Sequence, residues 1–530
     1  MRISTARLPE LSWRTAVIAL LLASLAVPLI VAPDFFFPYV VPRNIFFRVV
    51  VEIGVAALVL ALCFGRKTLD LRGEPILWSL VAFLAAASLS ALFSPASTHS
   101  FFGDFERMGG VWAWLHLVLF YLLLRTLRDK DWIWILNAAL AVGVLVSLGA
   151  IGQQFAFLPP AHLGGVVLTA STSALGNGGL LAAYLLMNVA ISAYLASANV
   201  RFRVLYLAAG GFELLALVFA QNRSTVIGLV LGGLVGGVIY AALGTASRKK
   251  WITVSVAGML AAAIIGITAG VRAFPTSSLA RHVPVVLQRV AQTNPAGSDE
   301  SRTMQWRAAI EGFKDRPILG YGLENHNLVW SAHFDPRIYR IDTDIYDRTH
   351  NQFLETLATA GLIGTAAFLG IWLAIGWTLV GAYRTGRLSA SAVSILAGLQ
   401  VAYATYLFFW FVDLNSTMLW ILIAALIASR GTVGSVVLEA TGHDKEWAMS
   451  RPALAFASII ILIFAVYGEG YVPLRANRAL AKLDLERGSL AQSFAAHDLL
   501  SNSRARQTTH TPVLMAQFIG SLRPRLQEIR

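Results

Sequence analysis

Long apolar runs alternate with short polar interruptions along most of this chain. Runs of about 18–25 residues, at 1.5 Å rise per residue, match a hydrocarbon core of roughly 30 Å. They predict helices near 15–32, 44–64, 75–93, 110–128, 132–151, 172–198, 202–220, 223–243 and 251–271. A long polar segment follows, and then four further helices near 352–381, 389–411, 415–430 and 453–471. The pattern predicts an all-α, polytopic bundle of about 12–13 membrane helices. Its organisation is N-terminal helices over 1–271, a large polar loop over 272–350, C-terminal helices over 351–471 and a short helical tail over 472–530. The first run has a basic flank in Arg2, Arg7 and Arg14, with no clear small-residue cleavage site after Val27-Pro28. It therefore predicts a retained helix and not a cleaved leader.

Composition agrees with the pattern. Of 530 residues, 57% are hydrophobic and 13% charged, with a mean hydropathy of +0.65. Soluble domains carry roughly 25% charged residues. The single cysteine, Cys63, falls inside an apolar run, which excludes an intrachain disulfide framework and a cysteine-rich metal site. The net charge of +13 does not point to nucleic acid, because much of it flanks helices. One set of short loops holds Arg66, Lys67 and Arg72; Arg125, Arg128 and Lys130; Arg201 and Arg203; Arg248, Lys249 and Lys250; Arg384 and Arg387; and Arg430, Lys445 and Arg451. The alternate short loops hold only Arg43, Arg48, Arg107 and Arg223. Cytoplasmic loops collect Lys and Arg. That asymmetry predicts a cytoplasmic N-terminus, with 272–350 and 472–530 on the outer, periplasmic side.

The outer polar residues carry the candidate chemistry. They form "FFGDFERMGG" with Asp104, Glu106 and Arg107, "FAQNRSTVIG" with Arg223, "ESRTMQWRAAIEGFKDRPILGYGLENHN", and "DRTHNQFLETLATAGLIG" with His350. An Arg at the membrane edge is costly unless it is used or snorkels to the interface. Arg223 is thus a ligand-binding residue or an interfacial anchor. His350 at a helix start is a chemical group or a polar residue of the cap beside Asn351. Neither a Gly-rich phosphate loop nor a dinucleotide fingerprint occurs. The tail "RANRALAKLDLERGSLAQSFAAHDLLSNS" has helix-hairpin character without the recurrences of a repeat array.

Taken in order, an outer-turn Arg, a large loop with "R-x3-W-x2-A-x7-RPILGYG", and then "HNQFLETLATAGLIG" resemble the O-antigen ligase and polymerase family of bacterial envelope glycosyltransferases. The resemblance runs over roughly residues 30–430 and is concentrated in 220–365. The family implies a multi-pass protein of the bacterial inner membrane. It implies transfer of a glycan from an undecaprenyl-diphosphate carrier to a hydroxyl acceptor, most characteristically lipid A–core, otherwise a growing glycan or a protein side chain. It assigns diphosphate binding to Arg223 and Arg302, with Arg307 as a further candidate, and the general base to His350. The residue types suit those jobs. A guanidinium forks onto phosphate and stays charged, and an imidazole accepts a proton near neutral pH. A helix N-terminus beside His350 favours nearby anions and a neutral imidazole.

The resemblance also implies metal-independent chemistry without a cofactor. "IDTDIYD", with Asp342, Asp344 and Asp347, is the place where a divalent ion would otherwise sit, although short acidic runs are usually solvated loop. His282, His326 and His333 lack ligand-like spacing. Glu52 and Glu213 fall within predicted helices, where a carboxyl is a functional candidate by default and a paired or protonated structural group as an equal alternative. Two readings from other classes remain: a lipid flippase, which predicts paired broken helices and internal symmetry, and a non-catalytic scaffold. The flippase gives no reason for an outer loop rich in Arg, Trp and Asp, and the scaffold would bind partners through its tail.

Overall fold

The computed structural model describes residues 9–64, 67–69, 73–104, 107–159, 162–163, 166–167, 171–244, 248–291, 298–340, 347–431, 437–439 and 451–483. Of the residues singled out above, Arg2, Arg7, Arg66, Arg72, Glu106, Asp342, Asp344, Lys445 and the tail beyond 483 lie outside the described residues.

Each predicted run falls on a helix. In chain order the helices are α1 (Pro9–Leu25), α2 (Val41–Phe64), α3 (Pro75–Leu92), α4 (Ser97–Phe102), α5 (Val111–Leu124), α6 (Trp132–Gln154), α7 (Gly178–Ala198), α8 (Arg203–Phe219), α9 (Arg223–Leu243), α10 (Arg248–Ala273), α11 (Ser278–His282), α12 (Val285–Ala291), α13 (Ser298–Asp315), α14 (His326–Ala332), α15 (Gln352–Arg384), α16 (Ala390–Phe408), α17 (Leu414–Gly431), α18 (Arg451–Ala465) and α19 (Val472–Leu483). A π-helical stretch, Val466–Tyr471, joins the last two. Among the described residues, nine helices are long and apolar enough to cross a membrane. The protein is thus multi-pass. Of the other predicted spans, α1, α5 and α8 are helical but only 14–17 residues long. Large apolar side chains such as Trp134, Leu148, Val204, Val238, Leu373 and Trp377 lie exposed on the helices, as lipid-facing surfaces require.

Two features depart from the expectation. The segment 272–350 is not a plain loop, since α11 to α14 occupy much of it. Four short strands also occur: β1 (Lys67–Leu69) pairs antiparallel with β4 (Val437–Glu439), and β2 (His162–Leu163) with β3 (Val166–Val167). Strands of two or three residues leave no period-2 pattern to read.

The chain divides into two compact units. One comprises Met1–Arg72, Ser94–Leu127 and Gly434–Arg530. In it α2 packs on α1, α5 and α18. Several of its buried charges are engaged. Arg43 donates to the carbonyls of Ile30 and Pro28 at 2.9 and 3.1 Å. Arg48 donates to the Met108 carbonyl at 2.9 Å, and Asp104 accepts the Arg107 amide at 2.8 Å. Glu52 meets His116 Nε2 at 2.9 Å. Arg43, Arg48 and Glu52 therefore hold this unit together, and Glu52 follows the paired structural alternative.

The other unit, Gly73–Phe93 and Arg128–Val433, contains Arg223, Arg302, Arg307 and His350. Its tightest seam joins α9 to α16. Gly228, Gly232 and Gly236 recur every fourth residue on one face of α9 and press against the backbones of Ala402, Gly398 and Ser394. A Cβ at Gly232 would overlap the Gly398 carbonyl, so the close approach requires glycine. The pairing runs antiparallel. Carried on in the same register, Arg223 at the start of α9 stands level with Leu407 at the end of α16.

A second seam sets the course of α15. Gly361 has φ 64° and ψ −166°, a region essentially closed to residues with a side chain. The helix kinks there, and the "RPILGYG" turn docks into the kink. Tyr321 and Gly322 donate to the carbonyls of Ala358 and Thr359 at 3.0 and 2.7 Å, and Leu362 donates to Pro317 at 2.8 Å. Ser90 of α3, fully buried, reaches the carbonyls of both Leu319 and Thr359. A Cβ on Gly320 (φ 68°) would strike Thr359, and one on Gly361 would strike Ile318. The two glycine-bearing motifs are therefore two halves of one latch.

Candidate active site

His350 sits immediately before α15, whose cap is Asn351. The Asn351 side chain accepts from the amides of Phe353 and Leu354 at 3.0 and 3.1 Å. Asn351 thus performs the capping, and His350 does not. His350 has φ 52°, a left-handed conformation that is uncommon outside glycine, although enriched for His. Such a conformation costs on the order of 1–3 kcal/mol and persists only where its surroundings over-determine it.

The surroundings here are a buried polar lattice. The Thr349 amide donates to Glu355 Oε2 at 2.8 Å, and its hydroxyl lies 3.0 Å from the same oxygen. The Thr349 carbonyl accepts from Trp306 Nε1 of α13 at 3.0 Å. Arg348 bridges Glu355 and Glu324, and all three are more than nine-tenths buried. An ion triad this deep is stable only while each member keeps its partners. His326, fully buried, lies 4.0 Å from Glu355 Oε2. Burial holds its pKa below the ordinary range, against the pull of Glu355.

The imidazole of His350 faces α13 and the segment between α16 and α17. Its Nδ1 lies 3.2 Å from Gln305 Oε1. Its ring meets Trp410 and Phe411 edge to face, with centroids 5.3 and 5.5 Å away. The Arg302 guanidinium stands 5.9 Å over the same Trp410 ring, within cation–π range. One aromatic shelf therefore carries a cation on one part and an imidazole on another. Trp410 is itself set close to the N-terminal turn of α7, where a Cβ on Gly179 would overlap the indole. Just beyond the shelf, Asp413 caps α17 through Asn415 and Ser416. Burial raises the pKa of Asp413, and those hydrogen bonds offset part of the rise.

Of the residues named from sequence, the structure brings Arg302 and His350 together. Arg223 is half-buried at the start of α9, where Asn222 caps the helix by accepting the Thr225 amide at 2.9 Å. By the α9–α16 register it shares the level of Leu407, close in sequence to Trp410. Arg307 differs: it is exposed on another side of α13 and acts on Asp335. Asp335 is held down to about 2, chiefly by its hydrogen bonds from Arg337. His333 bonds Asp315 at 2.7 Å on the solvent side. Glu213 is fully buried in α8, beside Asn188 and Gly143, and its carboxyl oxygens have no hydrogen-bond partner among the described residues. No group of three metal-binding side chains occurs among the described residues.

Sequence reasoning missed Gln305, Trp410 and the Arg348–Glu324–Glu355 triad. Trp410 was hidden in an apolar run that reads as the end of a span. Glu355 offered a signal: a carboxyl one turn inside an apolar helix needs a partner, and Arg348 stands seven residues before it.

No curated protein matches the chain. Residues 207–369 match the family model for O-Antigen ligase, a stretch that holds Arg223, Arg302, Arg307, His350 and both halves of the glycine latch. The resemblance is borne out over this segment, where its motifs concentrate: residues 207–369 are similar to the O-antigen ligase family.

Proposed function

We propose that the protein transfers a glycan from undecaprenyl diphosphate to a hydroxyl acceptor at the outer face of the bacterial inner membrane, with lipid A–core as the acceptor. The observation that carries this reading is the shared Trp410 shelf, which sets the Arg302 cation and the His350 imidazole side by side at the start of a membrane helix. An envelope donor beyond the reach of nucleotides must arrive already activated. A lipid diphosphate meets that need, and its anionic head requires cations at the membrane surface.

In this scheme Arg223 and Arg302 hold the diphosphate, and Arg307 serves as an outer contact for the same charge. The acceptor oxygen attacks the anomeric carbon while its proton passes to His350. The bond from that carbon to the diphosphate oxygen breaks, and its electron pair leaves with the diphosphate. The arginines stabilise that developing charge. A single displacement inverts the anomeric carbon. No metal ion is needed for the charge, and Asp342 and Asp344 have no part. A cavity of about 400 Å³ supports the lipid side of the reading. Leu229, Gly233, Tyr240, Leu186, Ile395 and Leu399 are among its lining residues, and it starts within two turns of Arg223. It suits a polyprenyl chain.

Glycan analysis of a deletion strain tests the function. The expected result is loss of capped lipopolysaccharide with accumulation of lipid-linked polymer. Core capped by a single repeat would make the enzyme a polymerase. Intact lipopolysaccharide with an unglycosylated protein would make it a protein O-oligosaccharyltransferase. An unchanged glycan profile would overturn the enzyme reading.

A further inference from the structure

A histidine can act as a base only through a nitrogen that carries no proton, so its tautomer decides whether it works. His350 presents Nδ1 to Gln305 at 3.2 Å, and the atom facing it is the amide oxygen Oε1. A carbonyl oxygen only accepts. The contact is a hydrogen bond only if Nδ1 carries the proton, which leaves the lone pair on Nε2. Gln305 is fully buried on α13, and its neighbour Trp306 bonds the Thr349 carbonyl. The same helix thus grips both the backbone before His350 and the ring. Trp410 and Phe411 close two further sides of the ring.

We propose that Gln305 is the positioning residue of this site, holding His350 in the Nδ1–H tautomer so that Nε2 is the atom that takes the acceptor's proton. The inference rests on the reading of His350 as the base. A neutral amide does this work in place of the carboxylate that often orients such a ring. The setting explains the choice: Arg302 stands over Trp410, and a carboxylate at 305 would compete with the donor's diphosphate for that cation. An amide orients the ring without adding an anion. Turned about, the same amide would set an N–H against Nδ1 and leave the proton on Nε2, a ring unable to accept.

Four variants and one spectrum test it. Histidine ring ¹⁵N resonances of the purified full-length protein, assigned against His350→Gln, should show Nδ1 protonated; a proton on Nε2 would overturn the inference. Gln305→Leu should lower kcat by about 10- to 10²-fold with KM for the lipid-linked donor little changed, because orientation and not binding is lost. Gln305→Glu keeps an acceptor in place. It should recover part of kcat and move the acid limb of the pH–rate profile upward by about 1–3 units, since a carboxylate within hydrogen-bond reach favours the imidazolium. The other charged and titratable groups around the ring are unchanged between variants: Arg302 on α13, Asp347 and Arg348 before the histidine, Glu355 on α15, Glu324 and His326 around Arg348, and Asp413 beyond Phe411. The shift therefore reports position 305. A residue that merely packs would lower the melting temperature in both variants and leave the profile in place, and that result would also overturn the proposal. His350→Ala separates the premises: if it transfers normally, the base reading fails first, whereas its loss of transfer alongside a wild-type profile in both 305 variants removes Gln305 alone.

Discussion

At the scale of single residues, the site separates side chains that look alike in the sequence. Arg302 is half-buried over an aromatic ring and Arg307 is exposed near Asp335. Arg302→Ala should therefore cost more transfer than Arg307→Ala when initial rates are compared at equal expression; equal losses would place the diphosphate along the outer face of α13. Arg223→Lys should fail nearly as badly as Arg223→Ala, because an ammonium is a point charge without the fork that pairs with phosphate. Full activity of the lysine variant in the same assay would make Arg223 an interfacial anchor. The sequence exposed His350 and the arginines because a charged or titratable group at the edge of an apolar run has few structural explanations. It concealed Gln305 and Trp410, since glutamine in a polar segment and tryptophan among phenylalanines are both ordinary. Their roles arise only where α13 meets the turn between α16 and α17.

At the scale of elements, the motifs "RPILGYG" and "ATAGLIG" are joined backbone to backbone. The Tyr321 and Gly322 amides and the Ser90 hydroxyl satisfy carbonyls that the kink in α15 exposes. Gly361→Ala should destabilise the protein by about 1–3 kcal/mol or more from backbone strain alone, with the Ile318 clash added. Thermal unfolding in detergent reads this as a lowered transition, and an unchanged one would mean that the kink can be relieved elsewhere. Glu355→Ala strips one partner from a buried Arg348, and breaking such a pair costs about 3–5 kcal/mol. The sequence placed these motifs beside one another in the argument but not in space. The apolar period of 352–381 runs straight through Gly361 and gives no sign of a kink. The membrane helices were legible because their apolar runs are long; the strands and α11, α12 and α14 were not, because each is seven residues or shorter, and α13, 18 residues long, is mostly polar and carries no apolar run.

At the scale of the whole molecule, the alternation of basic loops predicts an orientation. A reporter active only in the periplasm should be active when fused after Ser501 and silent at Gly442; the reverse would remove the last span. Purified protein should transfer glycan in excess chelator, as arginines supply the positive charge. Loss of transfer restored by magnesium or manganese would move attention to Asp342 and Asp344. The central claim is that a lipid-linked glycan is transferred with His350 as the base, and His350→Ala tests it most directly. Transfer rate and thermal stability are measured on the same purified variant. The account predicts a variant that folds and inserts normally, since alanine removes no cap and Asn351 remains, together with a loss of transfer of at least about 10²-fold. Near-normal transfer with a lowered melting temperature would contradict it and leave His350 a structural residue.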